Sequence, residues 1–246
     1  MYNGSVSALI VRQILRWVIA RLPTERMRCS LRSFIIRTKD GAHPSLLCQP
    51  GEIVVLVGVH RIDTVMKWSE AVGATGKLIL VEAVPRYLEN IKSNLENHLN
   101  WDINNINYVA KGVSSVRESG EIEVGRKADF NKLTGHRIED GLSSNDFIGT
   151  ENIELDTLDN IISSLGIDNI NHISMTISGL ELEALKGMQR ILCVNGLRIL
   201  IRSLHAKDGK SLYLEVMETL KNSGFTIMAG KKVKTRSGRN IYAYRT

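Results

Sequence analysis

The chain has 246 residues, of which 43% are hydrophobic and 5% aromatic, and its formal net charge is +6. This length and apolar content suit one α/β domain with an extension better than two domains. Its three cysteines form no close pair and have no metal-ligand spacing, which excludes a disulfide framework and a cysteine zinc site. We therefore expect a cytoplasmic protein without a bound metal.

The positive charge is concentrated at the start of the chain. Residues 1–40 hold an excess of six basic over acidic side chains, which equals the net charge of the whole chain. Arginines interrupt the apolar segment 6–22, so this segment predicts neither a membrane span nor a signal peptide. Two interpretations stay open: a basic amphipathic helix that brings residues 1–39 to an anionic membrane surface, and a helix docked on the domain. No recognised nucleic-acid-binding module accompanies the charge, and we expect no nucleic acid partner.

We divide the chain into a basic extension, residues 1–49, and a domain, residues 50–246. The extension is predicted to contain the amphipathic helix and a short strand at 33–38. In the domain, apolar runs predict strands at 53–57, 77–82, 107–110, 172–177 and 197–201. Helical periodicity predicts helices at 61–72, from Pro85 onward, at 180–192 and at 208–222.

This alternation of strands and helices predicts a doubly wound, mostly parallel α/β sheet. The tail, 225–229 and 240–244, predicts an antiparallel hairpin, so that the sheet ends in an antiparallel C-terminal strand. Residues 113–150 lose periodicity, and we expect a hairpin around 121–124 followed by a loop that selects the substrate.

The first two strands have the pattern of a nucleotide-binding half-unit. Gly58 follows the first strand, and Glu82 closes the second strand about 20 residues later, where an acid accepts hydrogen bonds from ribose hydroxyls. The carboxyl ends of three consecutive strands should converge on one pocket, which predicts a cofactor site built from Gly58, His60, Glu82, Lys111 and Gly112. Glu82 as a solvated acid and His60 as a structural histidine are the alternatives.

Residues 170–187, Ile-Asn-His-Ile-Ser-Met-Thr-Ile-Ser-Gly-Leu-Glu-Leu-Glu-Ala-Leu-Lys-Gly, resemble a signature of FkbM-type S-adenosylmethionine (SAM) methyltransferases. In that family the stretch reads apolar-Lys-apolar-Asp-apolar-Glu-Gly-x-Glu, then Leu-Lys-Gly. Residues 56–62 are similar to the family's first signature, Asp-Val-Gly-Ala-Asn-x-Gly. The resemblance covers about residues 50–205. It implies a seven-stranded Rossmann-like fold of class I, SAM as the cofactor, and methyl transfer to a hydroxyl of a glycan, lipid-linked sugar or secondary metabolite.

The chain departs from both signatures in its polar residues. In the first signature the family's Asp, Asn and second Gly are replaced by Leu56, His60 and Ile62. In the second signature the family's Lys, Asp and Glu are replaced by Ser174, Thr176 and Ser178.

These departures shift the expected chemistry to other side chains. Thr176 and Ser178 are expected to contact the substrate, but hydroxyls cannot act as a base near neutral pH. Glu181 and His205 are therefore the predicted catalytic bases, although Glu181 also suits a helix start, where the dipole favours negative charge. The family's acid before the histidine of the fifth strand corresponds to Arg202.

Two rival functions follow from the same residues. The first rival is a degenerate methyltransferase-fold protein that acts as a binding module. The second is a nucleotide-sugar or dinucleotide enzyme, and the single glycine after the first strand counts against it.

Overall fold

A computed structural model describes residues 14, 17–19, 21–23, 27, 31, 48–96, 105–126, 131–135, 143–203, 205–207, 210–232 and 239–245. The strand predicted at 33–38 lies outside the described residues, as does most of the extension. Within these ranges, no helix combines the length and apolarity that a bilayer crossing requires.

Strands and helices alternate in the described domain, except that several strands follow one another between residues 106 and 156, between residues 198 and 211 and at the C-terminal end. The strands are β1 Ile53–Val57, β2 Lys77–Glu82, β3 Ile106–Ala110, β4 Gly112–Val113, β5 Glu118–Gly125, β6 Lys132–Leu133, β7 Phe147–Asp156, β8 His172–Met175, β9 Arg198–Ser203, β10 Ala206–Lys207, β11 Lys210–Ser211, β12 Thr226–Lys232 and β13 Arg239–Tyr244. The α-helices of the domain are α1 Ile62–Val72, α2 Pro85–Glu96, α3 Leu158–Ser164, α4 Glu181–Lys186 and α5 Leu212–Asn222.

Seven of these strands form one sheet in the order β12-β13-β9-β8-β1-β2-β3. The five strands from β9 to β3 are parallel to one another, whereas β13 is antiparallel to both β9 and β12. The predicted fold class, a doubly wound and mostly parallel sheet with an antiparallel C-terminal strand, is confirmed.

Two apolar layers cover the faces of this sheet, because successive side chains of a strand point to opposite faces. Val55 and Val57 of β1 belong to the core cluster that contains residues of α3, α4 and α5. Val54 and Leu56 belong to the other cluster, which α1 and α2 cover and in which Trp68 is fully buried. A strand buried on both faces reads as the continuous apolar run seen in the sequence.

Residues 113–150 are more regular than predicted. Strands β4, β7, β5 and β6 form a separate four-stranded sheet in that order, instead of one hairpin followed by a loop. The first half of β7 is mostly exposed, so its sequence lacks the alternation that marks a half-buried strand. This small sheet packs through Ile122, Ile153 and Leu155 on the segment that follows β2.

Helix α4 is shorter than the predicted helix 180–192, because the chain leaves the helix at Gly187. A Cβ at Gly187 would lie 2.0 Å from the Ser114 carbonyl oxygen, so a close backbone contact fixes the end of the helix. Beyond it, the Asp159 carboxylate accepts the N–H groups of Arg190 (2.8 Å) and Ile191 (3.0 Å) and holds the start of a 3₁₀ turn, Ile191–Cys193. Helix α5 starts at Leu212 rather than 208, after the short pair β10 and β11.

Candidate functional site

A pocket of about 260 Å³ lies at the carboxyl ends of β1, β2, β8 and β9. This volume lies just below the range of about 300 to 1,000 Å³ that is usual for ligand pockets. The sheet brings most of the predicted site residues together here. The predicted residues that line the pocket are Gly58, His60, Glu82, Lys111, Gly112, Thr176, Ser178 and His205.

Gly58 allows the end of β1 to approach the end of β8. Its φ is +75°, a conformation that favours glycine, and a Cβ there would lie 1.9 Å from the Thr176 carbonyl oxygen. Its N–H donates to the Val81 carbonyl at 2.9 Å. Backbone packing alone therefore requires glycine at this position, whatever approach it also permits to a ligand.

Glu82 is a buried acid that faces the pocket. Its exposure is 7%, and one carboxylate oxygen accepts the Val84 N–H at 3.0 Å. Burial raises the pKa of Glu82 to about 7, although nearby N–H groups of Val84, Ala83 and Val59 partly stabilise the charged form. Burial excludes the alternative of a solvated surface acid.

Lys111 lines the pocket as one half of an ion pair. Its Nζ lies 2.8 Å from Oδ2 of the buried Asp156 and 3.8 Å from the Glu154 carboxylate. Burial alone would raise the pKa of Asp156, but hydrogen bonds from Lys111, Asn160 and the Thr157 N–H hold that pKa below its usual range. The sequence did not predict a role for Asp156, because its partner Lys111 is 45 residues away in the chain. The feature that could have indicated Asp156 is its position just before Thr157, which caps α3.

The other end of the pocket is formed by β8 and β9. Thr176 and Ser178 follow β8, and the Thr176 N–H donates to the Val57 carbonyl at 2.8 Å. Arg202 is exposed and faces the pocket, and His205 lies on the same rim with little exposure. This end therefore presents two hydroxyls, a guanidinium and an imidazole.

Comparison with known proteins shows the family to which the chain belongs. The sequence model of the methyltransferase FkbM domain matches residues 49–227. The chain belongs to the FkbM methyltransferase family.

Solved structures with the same fold include methyltransferases. Against the methyltransferase FkbM from Methylobacillus flagellatus KT the TM-score is 0.54 at 16% identity, covering 96% of this chain and 60% of that one. The chain thus spans 60% of the length of that protein. Fibrillarin from Aeropyrum pernix, solved with natively bound SAM, gives a TM-score of 0.51 at 11% identity, covering 89% of this chain and 74% of that one. These likenesses show a class I, Rossmann-like methyltransferase fold. No curated protein matches the sequence significantly.

Two of the residues that depart from the first FkbM signature lie outside the pocket. Leu56 is buried in the apolar cluster around Trp68, and Ile62 packs against the same cluster. Neither residue is among those that line the pocket. Ile62 therefore takes up no space in the pocket, because the start of α1 turns that side chain toward the core.

Glu181 does not reach the pocket. It is fully buried at the first turn of α4, and in the described chain its carboxylate has backbone N–H groups nearby but no side-chain partner. Burial raises the pKa of Glu181 to about 8, against a smaller opposite effect of its own N–H and that of Gly179. Its neighbour Leu180 lines the pocket instead, so the catalytic role predicted for Glu181 gains no support from its position.

The small sheet supplies an apolar wall that the sequence did not predict. Ile122, Leu133, Ile153 and Leu155 line the pocket beside Glu82, together with Tyr87 of α2. The segment 113–150 therefore borders the end of the pocket at β2, rather than the end at β8 and β9.

Proposed function

We propose that this FkbM family member is a SAM-dependent methyltransferase that methylates a hydroxyl of a glycan, lipid-linked sugar or secondary metabolite. The observation that carries the proposal is the buried carboxylate of Glu82, which faces the pocket at the end of β2. Membership of the family and the fold both support it.

The residues at the β2 end fit the nucleoside half of SAM. The Glu82 carboxylate is an acceptor suited to two ribose hydroxyls, and the apolar wall of Ile122, Leu133 and Leu155 suits the face of a planar base. Because Gly58 has no side chain, the space between Glu82 and the end of β8 stays open there. When bound, SAM supplies an electrophilic methyl group, whose bond to sulfur breaks as a bond to the acceptor oxygen forms.

At the opposite end, the side chains orient an acceptor and take its proton. The hydroxyls of Thr176 and Ser178 can hydrogen-bond a substrate hydroxyl in either direction. Among the described lining residues of β8 and β9, His205 is the group that accepts a proton at neutral pH, at a ring nitrogen. We therefore assign the role of general base to His205 rather than to Glu181.

A binding module without methyl transfer is the second candidate. The observation that favours it is the lack of a carboxylate among the described lining residues of β8 and β9. Such a protein would bind the nucleoside through Glu82 and hold an acceptor-like ligand without reacting.

Radiolabelled methyl transfer from SAM into pools of lysate glycans and lipids distinguishes the two. We expect the wild-type chain to label an acceptor pool, and His205→Ala to reduce the rate by about 10²- to 10⁴-fold, the usual contribution of such a base. The matched control is His172→Ala, which replaces a buried histidine that does not line the pocket. If the chain binds SAM but transfers no methyl group, it is a binding module. If it neither binds SAM nor transfers a methyl group, the proposal is wrong.

We further propose that the extension makes peripheral contact with an anionic membrane in the cytoplasm. In the helical residues described there, Ile14, Trp17 and Val18 are exposed, whereas Ile19 is buried. The Arg21 guanidinium lies 3.6 Å from the centre of the Trp17 ring, so cationic and apolar groups share one surface. An exposed apolar and basic helix surface is typical of interfacial binding.

A further inference from the structure

The four strand ends that form the pocket lie in a fixed order. Along the sheet the order is β2, β1, β8 and β9, which bring Glu82, His60, Ser178 and Arg202 to the rim in that sequence. Neighbouring strands are about 4.8 Å apart, so the ends of β2 and β9 are separated by roughly 14 Å. Glu82 and Arg202 therefore lie at opposite ends of the site, and a nucleoside on Glu82 leaves the β9 end to the second substrate.

The three basic side chains of the pocket differ in their partners. Lys111 pairs with Asp156 at 2.8 Å, and Lys132 lies 3.4 Å from the Glu123 carboxylate. Arg202 is exposed and has no acidic partner among the described residues. A guanidinium that faces the pocket and pairs with no described carboxylate can bind an anionic ligand.

The surroundings of Arg202 also favour an anion. Among the described lining residues, Glu82 is the one acid, and it lies at the far end. The nearer side chains, Thr176, Ser178 and His205, can each donate a hydrogen bond and carry no negative charge. An anionic group bound here would accept hydrogen bonds from these side chains, and no nearby carboxylate would repel it.

We infer that the acceptor carries an anionic group, a carboxylate or a phosphate, beside the hydroxyl that is methylated, and that Arg202 binds this group. The planar guanidinium forms paired hydrogen bonds with either group, which fixes orientation as well as charge. The inference rests on the proposed function, because it assumes that the β2 end holds the nucleoside. It narrows the acceptor from any hydroxyl compound to an acidic one, such as a uronic acid or a sugar phosphate.

Calorimetry on the full chain, with and without saturating S-adenosylhomocysteine, tests this directly. The probes are methyl glucuronide, glucose 1-phosphate and the neutral methyl glucoside, so the two acidic arms separate a carboxylate from a phosphate. We expect one acidic probe to bind at least about tenfold more tightly than the neutral one, as for a hydrogen bond to a charged group. Arg202→Gln should remove that preference, and Arg202→Lys should keep part of it.

Two controls separate this inference from the proposed function. Arg117→Gln changes an exposed arginine outside the pocket and should keep the wild-type preference. Arg202→Gln should bind S-adenosylhomocysteine as wild type does, because Glu82 holds the nucleoside at the other end. If the wild-type chain does not bind S-adenosylhomocysteine, the proposed function is contradicted.

The anion inference fails by itself in three cases: equal binding of acidic and neutral probes, no binding of either acidic probe, or a tenfold loss of S-adenosylhomocysteine affinity in Arg202→Gln. The last result would assign Arg202 to the carboxylate of the methyl donor.

Discussion

Two glutamates are buried among the residues that the structure describes, and their surroundings give them different roles. Glu82 faces the pocket and accepts the Val84 N–H, whereas Glu181 lies outside the pocket and its carboxylate has no side-chain partner in the described chain. Burial raises the pKa of both, because a charged carboxylate loses solvation in the protein interior. Ligand binding should therefore respond to the protonation of Glu82, whereas folding stability should respond to the protonation of both glutamates.

For Glu82, we predict that adenosine affinity rises with pH from about 6 to 8. The ionised carboxylate accepts hydrogen bonds from both ribose hydroxyls, and its pKa of about 7 places most of the ionisation within this range. The increase should be at most about tenfold per pH unit, and Glu82→Gln should show a flat profile by calorimetry. An affinity that is independent of pH in wild type would contradict this role.

For Glu181, we predict that Glu181→Gln flattens the dependence of stability on pH. The pKa is about 8 in the folded chain against 4.5 for an ordinary glutamate, so the folded state binds more protons between these values. The free energy of unfolding should therefore fall as pH rises through this range, by up to about 1.4 kcal/mol per pH unit. Urea unfolding between pH 5.5 and 7.5 measures the slope.

The control for this measurement is Glu215→Gln, which changes an exposed acid in the first turn of α5 and should keep the wild-type slope. Glu82 contributes a slope of the same sign in every variant. An unchanged slope in Glu181→Gln would show that Glu181 is ionised in the folded chain.

At the scale of the elements, the site depends on how closely β1 and β8 meet. Gly58 packs so closely against the Thr176 carbonyl that a Cβ at position 58 would lie 1.9 Å from the carbonyl oxygen. Gly166 has a similar positive φ of +65°, but a Cβ there would meet no atom within 4 Å. Alanine substitutions at Gly58 and Gly166 therefore distinguish the cost of a steric clash from the cost of backbone strain alone.

We predict that Gly58→Ala lowers the free energy of unfolding by more than about 3 kcal/mol, beyond the range of backbone strain alone. Gly166→Ala, which adds strain without a clash, should cost about 1 kcal/mol. Chemical denaturation of the two variants checks both values. Equal losses would mean that the strands move apart readily to accept the side chain.

The sequence predicted the elements that are buried on both sides, and it predicted least where burial is partial. The bounds of β1 and β2 follow from β-branched apolar runs, and Pro85 begins α2 as expected. The first half of β7 is exposed and gives no periodic signal, so the small sheet was predicted only as a hairpin. The early end of α4 depends on the contact between Gly187 and Ser114, which are distant in sequence.

The same limit applies to the site. Strand ends could be counted from the sequence, and eight of the nine predicted site residues line the pocket. Glu181 was placed there by its position shortly after Ser178, but the first turn of α4 directs it into the core. The apolar wall and the ion pair of Lys111 with Asp156 bring together elements that are far apart in the chain, which one-dimensional patterns do not report.

At the scale of the whole molecule, the pocket has two ends with different walls. The small sheet covers the β2 end with apolar side chains, whereas the β9 end presents Arg202 and His205. This division suits a site that binds a nucleoside deeply and takes its second substrate from the open end. The extension adds a surface on which Trp17 is 58% exposed while Ile19 is 1% exposed.

We predict that the full chain co-sediments with vesicles that contain acidic lipid, and that added salt reduces this binding by screening. Trp17→Ser should weaken it, because an aromatic side chain anchors in the interface. Leu214→Ser, which changes an equally exposed apolar residue on α5, should not. Equal sedimentation with neutral and acidic vesicles would contradict the membrane proposal and would favour the alternative, in which the extension is a helix docked on the domain.

Titration of the full chain with S-adenosylhomocysteine by calorimetry tests the central claim most directly. We predict saturable binding at one site, weakened in Glu82→Ala by about 1.5 to 3 kcal/mol, the range for hydrogen bonds to charged groups. Glu121→Ala, which changes an exposed acid on β5, should bind as wild type does. Absence of binding in wild type, or unchanged affinity in Glu82→Ala, would contradict the placement of the methyl donor in this pocket.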